Sequence, residues 1–83
     1  MNESTTTPER PVRVFRQSGI ETAIWRRSSN SGAWYQVTQK RSYKKKDTDQ
    51  WEHTQFIPKN LIPVAAFQLQ QAYNWIDYNE DKE

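Results

Sequence analysis

Trp51-Glu52-His53-Thr54-Gln55-Phe56-Ile57-Pro58-Lys59-Asn60-Leu61-Ile62-Pro63-Val64-Ala65-Ala66-Phe67-Gln68-Leu69-Gln70-Gln71-Ala72-Tyr73-Asn74-Trp75-Ile76 changes period in its middle. Up to Ile57 it reads as a strand. Pro58-Lys59-Asn60 breaks that strand, and Asn60 has the side chain of a helix N-cap. Pro63 then falls in a first helical turn, where a missing N–H costs nothing. From there Leu61, Ala65, Leu69, Ala72 and Ile76 recur at helical spacing, with Val64, Phe67 and Trp75 in a second stripe beside them. A strand followed by one amphipathic helix ends the domain.

Upstream, the pattern has the period of two that strands require. Val12, Val14 and Phe15 begin a short strand carrying Arg13 and Arg16, and Gln17-Ser18-Gly19 is a turn. Ile20 to Arg27 is a second strand, and Ser28-Ser29-Asn30-Ser31-Gly32 is a loop suited to positive φ. Ala33 to Lys44 makes a third, long strand. Trp34, Gln36, Thr38, Lys40 and Lys44 lie on one of its faces, and Tyr35, Val37, Gln39, Arg41 and Tyr43 on the other. Lys45 to Gln50 is a charged hairpin. Four strands and a helix make an α+β domain over residues 11–77. Residues 1–10 read as a flexible arm and residues 78–83 as an acidic tail.

The chain has 83 residues, of which 34% are hydrophobic and 13% aromatic. That is too little aliphatic material for two cores, and thin for one. A helix with so wide an apolar surface has more than one sheet can cover, which argues for a homodimer with its seam along Val64, Phe67, Gln71 and Trp75. Tyr35 and Phe56 read as core residues. No apolar run is long enough for a transmembrane helix, and the start does not read as a signal peptide. With no cysteine, a reducing compartment is expected, the cytoplasm with its nucleoid or the nucleus rather than the outside of the cell.

The net charge of +2 conceals an asymmetry: residues 10–59 carry eleven basic and four acidic side chains, a net of +7, while both ends are acidic. A basic body points to a polyanion. Catalytic chemistry is not expected. His53 is the single histidine and reads as an ordinary strand residue with no nucleophile or carboxylate placed to work with it. The two glycines stand alone in turns, and no metal ligand set or cofactor motif exists. What rises above background is interleaving of cations with rings: Arg16, Trp25, Arg26, Arg27, Trp34, Lys40, Arg41, Tyr43, Lys44, Lys45, Lys46 and Trp51. Single-stranded nucleic acid needs that combination, because cations follow phosphates and rings stack on unpaired bases.

The residues from Ile20 to Ile76 resemble the positive cofactor four family of single-stranded-DNA-binding transcriptional coactivators. Ile20-Glu21-Thr22-Ala23-Ile24-Trp25 is similar to its first core strand. Trp34 to Asp47 is similar to its strand of apolar alternation running into Arg, an aromatic and a charged hairpin. Trp51 to Phe56, followed by Asn60 to Ile76, is similar to its last strand and dimer-forming helix. The resemblance implies a curved four-stranded antiparallel sheet backed by a C-terminal helix, dimerising through that helix, with DNA across the sheets. It implies DNA contacts at Arg41, Tyr43 and Lys44–Lys46, with Trp51 as a stacking ring. The Arg41-Ser42-Tyr43-Lys44 to Trp51 hairpin also resembles a strand pair of bacterial OB-fold single-strand binders, which end in acidic tails too.

The expectation is therefore a largely sequence-independent single-stranded-DNA-binding protein of transcription, replication or repair. The alternatives are an RNA binder using the same sheet, and an interaction adaptor whose helix face (Phe67, Tyr73, Trp75) takes a partner protein. The acidic tail is a further place for a protein partner.

Overall fold

Four antiparallel strands follow one another in space as they do in sequence, and one helix closes the chain. The structure is a computed structural model and describes residues 10–80. Residues 1–9 of the expected arm and 81–83 of the expected tail lie outside the described residues. The strands are β1 (Arg13–Gln17), β2 (Ile20–Ser29), β3 (Gly32–Lys44) and β4 (Trp51–Thr54). After a 3-10 turn over Lys59–Leu61, the helix α1 runs from Ile62 to Glu80.

Each connection follows from its turn residues. Ser18 and Gly19 both have positive φ, 53° and 81°, the mirror-image turn that matches the twist of a two-residue hairpin. Gly19 is also fixed by space, since a Cβ there would stand 2.8 Å from the Ser42 carbonyl oxygen. The β2–β3 loop is shorter than the sequence implies. Pairing continues to Ser29 opposite Gly32, leaving Asn30 and Ser31 as the turn, and Gly32 alone in that loop takes positive φ. The β3–β4 hairpin is held by Lys45 N–H donating to the Gln50 carbonyl at 2.9 Å, and by Asp47 at φ 68°.

The register assigns the faces, because directly paired residues share a side of the sheet. Ile20, Thr22, Ile24 and Arg26 of β2 pair with Arg41, Gln39, Val37 and Tyr35 of β3, and this side carries α1. The core there is small: Ile20, Ile24, Ala65 and Ala72 are buried, with Ala23 buried from the opposite side. Its centre is polar. Gln68 Nε2 donates to the Ile20 carbonyl at 3.0 Å, and the Thr22 hydroxyl donates to Gln68 Oε1 at 2.6 Å. Gln39 Nε2 reaches Thr22 Oγ1 at 2.8 Å and the Ala65 carbonyl at 3.0 Å. Two strands and the helix are thus joined by one satisfied network.

Several sequence expectations are corrected here. The helix begins at Ile62 rather than at an Asn60 cap; Pro58 precedes the 3-10 turn and no side chain caps it. Tyr78 to Glu80 form the last turn of α1 instead of the start of a tail. The fourth strand stops at Thr54 rather than Ile57. Phe56, expected in the core, is 77% exposed. Leu69, expected in the buried stripe, is largely exposed, because Gln68 takes the central position between Ala65 and Ala72. Among the described residues, no helix is long and apolar enough to cross a membrane.

Candidate nucleic-acid interface

The side of the sheet away from α1 is covered by no element of the described chain. Strand alternation places Val14 and Arg16 of β1 there, with Glu21, Ala23, Trp25 and Arg27 of β2. From β3 come Trp34, Gln36, Thr38, Lys40, Ser42 and Lys44, and from β4 come Trp51 and His53. Seven of the expected contact residues, Arg16, Trp25, Arg27, Trp34, Lys40, Lys44 and Trp51, therefore share one face. Lys45 and Lys46 extend it through the hairpin beyond Lys44.

Three expected residues lie on the other side. Arg26 pairs with Tyr35, whose ring meets Trp75 of α1 edge-on at 5.6 Å between centroids. Arg41 pairs with the fully buried Ile20, and its guanidinium lies over the Tyr43 ring at 5.2 Å. Arg26, Arg41 and Tyr43 are thereby separated from Arg27, Lys40 and Lys44 by the thickness of the sheet. The reason is the period of two: Arg41 and Tyr43 are odd-numbered in a strand whose bare-face residues are even-numbered.

On the bare face, polar side chains are fixed by cross-strand bonds. Trp25 Nε1 donates to Thr38 Oγ1 at 2.8 Å, and Arg27 Nε donates to Gln36 Oε1 at 2.9 Å. The Arg27 guanidinium lies 5.4 Å from the centre of the Trp25 ring, so one face of that ring is occupied by a cation. Trp34 and Trp51 are 43% and 64% exposed. Trp51 pairs with Lys44, ten residues along β3 from Trp34, a separation of about 34 Å at the rise of an antiparallel strand. Two open rings thus stand towards opposite ends of a basic sheet face.

Electrostatics are uneven along that face. Glu21 Oε1 accepts from Arg16 Nε at 3.1 Å, and Glu21 Oε2 stands 3.7 Å from Lys40 Nζ. Lys44 Nζ lies 3.4 Å from Asp49 in the hairpin. Ser42 Oγ is 2.9 Å from His53 Nδ1, so the expectation that no nucleophile-type side chain is placed beside His53 is corrected. Glu52, next to His53 in sequence, projects to the opposite side of β4, which leaves the pair without that carboxylate as a third member. Among the described residues there is no cluster of three metal-ligating side chains.

Sequence reasoning missed Gln68, Thr22 and Gln39, which position the bare face by clamping β2 and β3 to α1. The available signal was position: Gln68 lies three residues after Ala65 and four before Ala72, inside the apolar stripe.

Fold and site together define an open, helix-backed antiparallel sheet with one bare face of rings and cations. No family model matches the chain, and no curated protein or solved structure matches it.

Proposed function

We propose that this chain binds single-stranded DNA across the bare face of its sheet, largely independently of sequence. What supports the reading is the gathering of Arg16, Arg27, Lys40 and Lys44 between the exposed rings of Trp34 and Trp51. Cations spaced along a strand neutralise successive phosphates, and exposed rings stack on unpaired bases at about 1–3 kcal/mol each. A double helix leaves no unpaired base for Trp34 and Trp51 to stack on, so it is the poorer ligand. Membership of the positive cofactor four family, and a role in transcription, replication or repair within the cytoplasm or nucleus, go with this proposal. No catalytic activity is proposed.

The same reading includes a homodimer. Val64, Phe67, Gln71 and Trp75 recur at spacings of three and four along the flank of α1 that Trp75 turns toward Tyr35. Phe67 is 57% exposed, and Val37 on the neighbouring strand is also part-exposed. A second copy docking there would complete the core.

Titration with a dT oligomer should quench tryptophan fluorescence, and added salt should weaken the complex. Absence of binding at 50 mM salt would remove the proposal. Matched RNA and duplex competitors decide the class, because stacking with backbone contact tolerates both sugars. Sedimentation separates the dimer from an adaptor: a monomer exposing Phe67 and Tyr73 would favour the latter.

A further inference from the structure

Glu21 stands where a line of phosphates is least compatible with it. Among the described strands it is the one acid of the bare face, and its side chain is 24% exposed between Arg16 and Lys40. An ionised carboxylate has about four acceptor positions, and these two cations leave some unused. Beside it lies a cavity of about 300 Å³ at the β1–β2 turn, lined by Arg16, Gln17, Ser18, Gly19, Glu21 and Ser42 among others. Ser42, which also lines it, has its hydroxyl 2.9 Å from His53 Nδ1.

A phosphate brought to this point would meet a like charge, so a base is the better occupant. Splayed bases of a single strand are read on their Watson–Crick edges, and carboxylates accept from base amino groups. Thymine offers Glu21 a single N3–H donor, flanked on both sides by carbonyl oxygens. Cytosine and adenine each offer one amino group. Guanine offers two adjacent donors, N1–H and the 2-amino group, which suit the two oxygens of one carboxylate. Its O6 lies alongside as an acceptor for the Arg16 guanidinium.

We infer that the cavity beside Glu21 is a guanine subsite on the proposed nucleic-acid face. The inference rests on the proposed single-strand binding and adds to it a base preference at one position.

The test uses the full chain with four oligomers: all-dT, and the same length with one central dG, deoxyinosine or dA. The dG oligomer should bind at least about fivefold tighter than all-dT, the lower end of what a bidentate base contact discriminates. Deoxyinosine, which lacks the 2-amino group, should lose most of that gain, and dA should show little. In Glu21→Gln and Glu21→Ala the dG preference should vanish, while all-dT binding is kept or strengthened. Equal affinity for dG and dT oligomers in the unaltered chain would overturn the subsite, as would a preference that survives Glu21→Ala. Failure of every oligomer to bind would instead remove the single-strand reading, and the subsite with it.

Discussion

Lys40, Arg41 and Lys44 sit on one strand, yet the register places the two lysines on the bare face and the arginine on the side that carries α1. That separation makes a quantitative prediction. Six cations belong to the bare face or the hairpin at its end: Arg16, Arg27, Lys40, Lys44, Lys45 and Lys46. Each phosphate neutralised in a single strand contributes about −0.7 to the slope of log K against log salt, so all six give about −4. Between 50 and 200 mM salt this is about a 300-fold loss of affinity. If Arg16 and Lys40 stay with Glu21, four cations remain, the slope is about −3 and the loss about 50-fold. Lys44→Gln should make the slope shallower by about 0.7, whereas Arg41→Gln should leave it unchanged. Tryptophan fluorescence titration with a dT oligomer over a salt series measures both. A slope near zero would refute single-strand binding by charge. Equal effects of Arg41→Gln and Lys44→Gln would refute the assignment of faces.

The remaining predictions concern the other side of the sheet. Gln68→Leu should remove one donor to the Ile20 carbonyl and the acceptor of the Thr22 hydroxyl, both buried. The cost should be about 2–4 kcal/mol, a drop in melting temperature of at least about 10 °C by circular dichroism; an unchanged midpoint would contradict the network. Adding Thr22→Val should cost less than the sum of the single changes, and strict additivity would argue against coupling. Gly19→Ala should lose about 1–3 kcal/mol, because its φ of 81° and the nearby Ser42 carbonyl both disfavour a Cβ. Phe67→Glu should convert the proposed dimer to monomer in sedimentation and abolish any dependence of melting temperature on protein concentration. A dimer unaffected by this change would move the interface elsewhere.

The strands and the single helix were legible because their periods are unambiguous. In β3 the alternation of Trp34, Gln36, Thr38, Lys40 and Lys44 against Tyr35, Val37, Gln39, Arg41 and Tyr43 is how the sheet sorts them. The same parity separates Arg41 and Tyr43 from the bare-face residues, and Arg26 from Arg27. Charge and ring content alone grouped them. Gln68 and Thr22 escaped because buried polar residues carry no hydropathy signal; their burial depends on partners contributed by three different elements. Phe56 reads as core because it leads into the helix, yet β4 ends at Thr54 and no element of the described chain covers the ring. The pairing of Glu21 with both Arg16 and Lys40 was likewise hidden, since it joins three strands.

The two sides of this sheet are stabilised in different ways, and that difference bears on binding. The helix side holds few large buried residues, and the radius of gyration is 15.7 Å, against about 12 Å for a compact domain of this length. Its flat shape, 15 Å through the thinnest axis, leaves apolar area that folding alone does not remove from water. The proposed second copy would bury Phe67 and its neighbours and so tie stability to assembly. The bare side needs no such cover. Its side chains are joined across neighbouring strands, Arg16 and Lys40 to Glu21, Trp25 to Thr38, Arg27 to Gln36 and Ser42 to His53. Rotamers already held by such bonds lose less entropy when a ligand arrives, which favours the proposed binding at this face. Exposed bonds of this kind add little to folding stability, and substitutions there should alter affinity with small effect on melting. Substitutions beneath the helix should do the reverse, because there each buried group supports the frame on which the other face is laid out.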